Sequence, residues 1–169
     1  MSRARTENSL RVVGGGKGGR PETTSGGRLP LETTSFVGRG RELSEVEGLL
    51  GRTRLLTLVG VGGSGKTRLA LRVAVRRADE GNVWWVELAS LSGRDLVPRK
   101  VASTLGVAES QGRQTSELLV DYLGSQEVLL ILDNCEHLVE ACASLADVLL
   151  RACPNVRILA TSRWAWPGT

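Results

Sequence analysis

Gly60-Val61-Gly62-Gly63-Ser64-Gly65-Lys66-Thr67 fits the pattern G-x-x-x-x-G-K-[ST] at every fixed position, and the rest of the chain can be placed around it. Its glycines let the backbone curl with N–H groups turned inward, forming a nest for the α- and β-phosphates of a nucleotide. Lys66 is placed to reach the β- and γ-phosphates, and Thr67 offers a hydroxyl to Mg²⁺. The helix expected from Thr67 to Ala78 adds the positive end of its dipole. Just before the loop, Leu55-Leu56-Thr57-Leu58-Val59 is a short apolar run suited to a buried parallel strand.

The chain has 169 residues, 41% of them hydrophobic, which is enough for one domain with a core and too few for two of average size. Its formal charge is +4. Residues 1–29 carry six basic and two acidic groups and account for all of it, leaving 16 of each sign elsewhere. The basic balance therefore belongs to a Gly/Arg-rich tail and gives no sign of a nucleic-acid-binding face on the domain. That tail is expected to be disordered, as a linker or as a weak nucleic-acid contact. Its run Gly14-Gly15-Gly16-Lys17-Gly18 is not a second phosphate loop, because Gly18 stands where Ser or Thr is needed.

Cys135, Cys142 and Cys153 are an odd number without zinc-type spacing, which suits buried thiols in a reducing compartment. No apolar run has the length of a membrane span or of a signal-peptide core, so a soluble cytoplasmic protein is the expectation. The single histidine, His137, has too few potential ligands around it for a metal site.

Other elements follow from periodicity. Leu43, Val46, Leu49 and Leu50 mark one face of a short helix that should cover the sheet edge or the nucleotide. Val83 to Leu88 reads as a second strand whose tryptophan pair packs on both faces. Helices are expected over 95–105 and 115–123, the latter with Thr115 as N-cap. In Val128-Leu129-Leu130-Ile131-Leu132-Asp133, an unbroken apolar strand delivers a carboxylate at its C-terminal end, where ligands sit in open α/β sheets. Beside the Thr67 hydroxyl, Asp133 would supply the hard oxygen that Mg²⁺ on a nucleotide requires. A helix over 136–152 and a last strand over 156–161 complete the pattern.

Thr34-Ser35-Phe36-Val37-Gly38-Arg39, the phosphate loop, Leu130-Ile131-Leu132-Asp133-Asn134-Cys135-Glu136-His137 and Ile158-Leu159-Ala160-Thr161-Ser162-Arg163 occur in that order. Together they resemble the nucleotide-binding domain of STAND-class P-loop NTPases, the NB-ARC or AP-ATPase-like group, above all that of large bacterial transcriptional regulators. The resemblance implies a three-layer α/β fold with an open parallel sheet, in which the Arg163 strand lies between the phosphate-loop strand and the Asp133 strand. It implies ATP/ADP and Mg²⁺ as ligands, Val37, Gly38 and Arg39 along the adenine and ribose, Asp133 as the acid that orients the metal, and Arg163 as the sensor of the γ-phosphate. Asn134 stands where many relatives place a second acid that activates water, leaving Glu136 as a substitute.

Residues 30–163 would form the nucleotide-binding domain, with 164–169 as a divergent end. The same resemblance implies that the last strand and the C-terminal helical, winged-helix and DNA-binding domains are missing. DNA binding would then belong only to those absent parts, and the exposed edge of the phosphate-loop strand would invite self-association. Three functions are in competition: an ATP/ADP-binding switch with slow or no hydrolysis, a metabolic P-loop kinase, and an inactive fragment serving only as an interaction partner. The segment after residue 89 shows neither an arginine-rich lid nor an acceptor site, which favours the switch.

Overall fold

The computed structural model describes residues 29–30, 39–79 and 81–166. The basic tail lies outside the described residues, as do Val37 and Gly38.

Four strands form one parallel sheet: β1 (Leu55–Val59), β2 (Asn82–Glu87), β3 (Val128–Asp133) and β4 (Val156–Ser162), in spatial order β1-β4-β3-β2. This is the order that the resemblance implied. The register runs Leu55 opposite Ile158, Leu130 opposite Ile158 and Trp84 opposite Leu130. Period-two alternation divides the strand side chains between two cores. Trp84, Val86, Leu130, Leu132, Ile158 and Ala160 face one side, and Val83, Trp85, Leu129, Ile131 and Leu159 face the other.

Helices α1 (Gly40–Arg52) and α2 (Lys66–Ala78) cover the second face. The first is covered by α3 (Leu96–Leu105), α4 (Thr115–Leu123) and α5 (Val139–Ala152), so the domain has three layers. Both tryptophans of the pair are buried, one in each core, as their place in a central strand requires. All three cysteines are buried and free. Trp166, in the stretch set apart at the C-terminal end, is buried in the α5-side core.

Two local expectations are corrected. The N-cap of α4 is Gln114, whose carbonyl accepts from the Glu117 and Leu118 N–H groups, so Thr115 is the first helical residue and caps nothing. The helix expected from Glu136 is interrupted. Cys135–His137 form a 3₁₀ turn, and α5 starts only after Leu138. Cys135 and Leu138 are both buried, and Leu138 N–H donates to the Cys135 carbonyl at 2.9 Å, the i to i+3 bond of the tighter turn.

Candidate functional site

Parallel connectivity brings the C-terminal ends of all four strands to one edge of the sheet, carrying Gly60, Glu87, Asp133 and Arg163. At the end of β1 the ladder continues one step, with Gly60 N–H donating to the Ser162 carbonyl at 3.3 Å. The loop then turns, with Ser64 N–H donating to the Val61 carbonyl at 3.2 Å. Gly63 (φ 78°) and Gly65 (φ 83°) are in the left-handed region, where a side chain is strained. Gly65 caps α2, whose first amides have no acceptor within the helix, as at any helix start, and so present donors to an anion.

The Lys66 ammonium is held over the loop by the carbonyls of Gly60 (2.6 Å) and Val61 (3.0 Å) and by Ser64 Oγ (3.4 Å). Two guanidinium groups press on the loop's glycines. A Cβ on Gly62 would lie 3.3 Å from Arg163 Nη2, and one on Gly65 would lie 3.2 Å from Arg39 Nη1. At Gly65 this approach adds to the left-handed backbone as a reason for glycine, while at Gly62 the arginine's approach is the only one of the two.

Beside the loop, Asp133 is fully buried. Its Oδ1 accepts from Thr67 Oγ1 at 2.9 Å and from Thr161 Oγ1 at 2.5 Å. Burial holds its pKa above the usual carboxylate value, the two hydroxyl donors oppose the shift, and the nearby Glu87 charge adds to it. A divalent cation here would relieve the cost of keeping this carboxylate ionised. Thr67 and Asp133 together offer two hard oxygens on one side, a set that fits Mg²⁺ retaining most of its water shell. Asn134, in the left-handed region at φ 62°, donates its N–H to Thr161 Oγ1 (3.0 Å) and its side-chain amide to Asp133 Oδ2 (3.2 Å) and Glu87 Oε1 (2.9 Å).

Arg163 pairs through Nε with Glu136 Oε1 at 3.3 Å. Glu136 Oε2 is buried without a hydrogen-bond partner among the described residues. This carboxylate is thus paired with the arginine through one of its two oxygens. His137 Nε2 lies 2.8 Å from the Leu91 carbonyl. The Cys135 thiol is fully buried and donates to the Leu132 carbonyl at 3.3 Å, and the neighbouring Cys142 thiol and burial push its pKa up.

Next to the loop, a cleft of about 470 Å³ opens between α1 and β1, lined by Arg39, Glu42, Val46, Leu56 and Leu58 and bounded by Gly60, Ser64 and Lys66. Its size suits a small-molecule ligand. The structure therefore gathers Gly60, Val61, Gly62, Gly63, Ser64, Gly65, Lys66, Thr67, Asp133, Arg163 and Arg39 around one mouth. Sequence reasoning missed Thr161 and Glu87. Glu87 lies inside the strand expected over 83–88 and closes it only in the structure, where β2 ends one residue earlier; Thr161 is a polar residue near the end of another.

A parallel sheet in this order, with a glycine-rich loop leading from its first strand into a helix and an acid at the end of a neighbouring strand, defines a P-loop NTPase fold. A family model described as an AAA domain matches residues 50–163, and the chain belongs to that family. An uncharacterized protein of Mycobacterium tuberculosis is 44% identical over 131 residues, which are 76% of this chain and 33% of that protein. A putative HTH-type transcriptional regulator of the same organism is 44% identical over 115 residues, 68% of this chain and 13% of the regulator. The chain thus spans a third or less of the length of these relatives. Among solved structures, Cdc6p from Pyrobaculum aerophilum superposes with a TM-score of 0.60 at 18% identity, covering 85% of this chain and 41% of that one. A STAND protein with a tetratricopeptide repeat sensor from Pyrococcus horikoshii superposes with a TM-score of 0.56 at 17% identity, covering 86% of this chain and 23% of that one. No helix among the described residues is long and apolar enough to cross a membrane.

Proposed function

We propose that residues 30–163 are the ATP/ADP-binding switch domain of a STAND-type signalling or transcriptional regulator, with residues 1–29 as a basic linker and 164–169 as a divergent end. The observation that carries the reading is the buried Asp133 carboxylate joined to the Thr67 hydroxyl at the mouth of the glycine loop, with the Arg163 guanidinium against Gly62. The regulator context is supported by the relative named as an HTH-type regulator and by the STAND neighbour. The loop amides and Lys66 bind the phosphates, and Thr67 and Asp133 hold Mg²⁺, which neutralises phosphate charge when bound. The cleft between α1 and β1 takes the base and ribose, with Arg39 on its wall.

Arg163 is the reporting group. Its present partner is Glu136, held through Nε alone, and a planar guanidinium can exchange that carboxylate oxygen for the γ-phosphate, which its fork can grip in two places. Nucleotide state would then set which partner Arg163 holds and, through it, the position of the 3₁₀ turn that carries Glu136. Hydrolysis is slow. Any DNA contact belongs to other parts of a longer regulator, and the edge of β1, unpaired among the described residues, is a surface for self-association.

Two measurements on the purified chain test this. Mg-ADP should raise the melting temperature, since a ligand at a hundredfold excess over Kd stabilises by about 2.7 kcal/mol. Mg-ATP turnover should be slow and insensitive to small hydroxylated acceptors. An acceptor that accelerates ADP release would replace the switch with a kinase, and a melting curve unmoved by ADP would leave only an interaction role.

A further inference from the structure

We propose that Glu87, presented by Asn134, holds the water that attacks ATP; this rests on the nucleotide-binding reading above and extends it to the hydrolytic step. The position directly after Asp133 carries an amide, which cannot supply a carboxylate, and Glu136 stands on the 3₁₀ turn beyond the strand end, with Oε1 against Arg163 and Oε2 buried. The structure places another carboxylate beside the same spot. Glu87 closes β2 as Asp133 closes β3, and the two are register partners on adjacent strands. The pairing continues one step further, with Leu88 N–H donating to the Asp133 carbonyl at 3.0 Å, so the two acids are held side by side at the ligand edge of the sheet.

Asn134 fixes their relation. Its backbone is in the left-handed region, which asparagine tolerates better than most residues. Its N–H is anchored on Thr161 Oγ1, whose own hydroxyl donates to Asp133. The side-chain amide then donates at once to Asp133 Oδ2 and to Glu87 Oε1. A continuous chain, Thr67 to Asp133 to Asn134 to Glu87, thus runs from the Mg²⁺-type ligands to an exposed carboxylate. With Oε1 held by the amide, Glu87 keeps acceptor capacity for a water beside the metal side of the site.

In the step itself, the water oxygen bonds to the γ-phosphorus as the bond from that phosphorus to the β–γ bridging oxygen breaks. The electron pair stays on the ADP formed, and the water proton passes to an oxygen of the departing phosphate. Glu87 accepts a hydrogen bond from the water, orients it in line and keeps no proton, which is the positioning that phosphoryl transfer rewards.

The test combines single-turnover hydrolysis at saturating Mg-ATP with calorimetric affinities for Mg-ATP and Mg-ADP, in wild type, Glu87→Gln and Asn134→Ala. Glu87 is exposed, so Glu87→Gln should fold, as circular dichroism would verify. The expected result is a fall in hydrolysis of at least about tenfold for Glu87→Gln, a smaller fall for Asn134→Ala, and nucleotide affinities within about twofold of wild type. Unchanged hydrolysis in Glu87→Gln would overturn the proposal. So would a parallel loss of affinity and Mg²⁺ dependence, which would make Glu87 a support for Asp133 alone. A wild type that binds ATP without ever hydrolysing it would also overturn it and leave the switch intact. A wild type that binds no nucleotide would overturn both.

Discussion

Strands β1 and β3 look alike as sequence, five apolar-rich residues leading to a functional group, yet they occupy opposite situations. Every residue of Val128–Asp133 is buried, between β4 and β2 and beneath helices on both faces. Along Leu55–Val59, four residues are half-buried and Val59 is 51% exposed. Among the described residues β1 pairs only with β4, and the Thr57 hydroxyl is buried without a partner. Apolar composition therefore marks a strand without saying where in the sheet it sits; order does that. The difference also divides the labour. The fully buried strand holds the acid whose desolvation must be controlled, and the strand that leads into the phosphate loop is the one left partly exposed.

The contrast should be largest in stability. Ile131 and Leu58 face the same α1/α2 layer, but Ile131 has no exposed surface and Leu58 is only half-buried. Ile131→Ala should cost about 2 to 5 kcal/mol of unfolding free energy and Leu58→Ala roughly 1 to 2. Urea denaturation measures both, and equal losses would erase the distinction between the strands.

A smaller effect of opposite sign is expected at the end of β3. Because burial raises the folded-state pKa of Asp133 above its unfolded value, the ionised carboxylate lowers stability above that folded pKa, and this cost fades as pH falls through it. Without Mg²⁺ and nucleotide, Asp133→Asn should melt at or above the wild-type temperature at pH 7, with the gap closing toward pH 4. A gap that widens on acidification would reverse the assignment of burial as the dominant cause. The smallest change in stability, within about 0.5 kcal/mol, is expected for Val59→Lys at the exposed end of β1. On its other side β1 is unpaired among the described residues, and a charge on a strand edge discourages edge-to-edge pairing. Sedimentation should show less self-association than in wild type; the same distribution in both would place any association elsewhere on the surface.

The glycine loop, the Asp133 strand and the helix faces were legible because each is a local pattern with one physical reading. The strand order came from the resemblance and matches the structure. What remained hidden was long-range. Nothing in the spacing of Glu136 and Arg163 announces an ion pair across the 3₁₀ turn, so Glu136 read as a candidate for activating water. Glu87 is one position short of the end of the strand that composition marks at 83–88, so only the register with β3 sets it beside Asp133. The break before α5, where Cys135–His137 close a 3₁₀ turn, carries no signal in the apolar periodicity, which runs on through Leu138 and Cys142.

The central claim, that this loop binds nucleotide phosphates, is tested most directly by calorimetric titration of Mg-ADP into the wild-type chain and into Lys66→Ala. Lys66 contacts loop carbonyls and a loop hydroxyl. Losing its charge-assisted bonds to phosphate should cost about 1.5 to 3 kcal/mol, roughly a ten- to hundred-fold rise in Kd, with the far-ultraviolet circular dichroism unchanged. A folded Lys66→Ala that binds Mg-ADP as tightly as the wild type would contradict the claim.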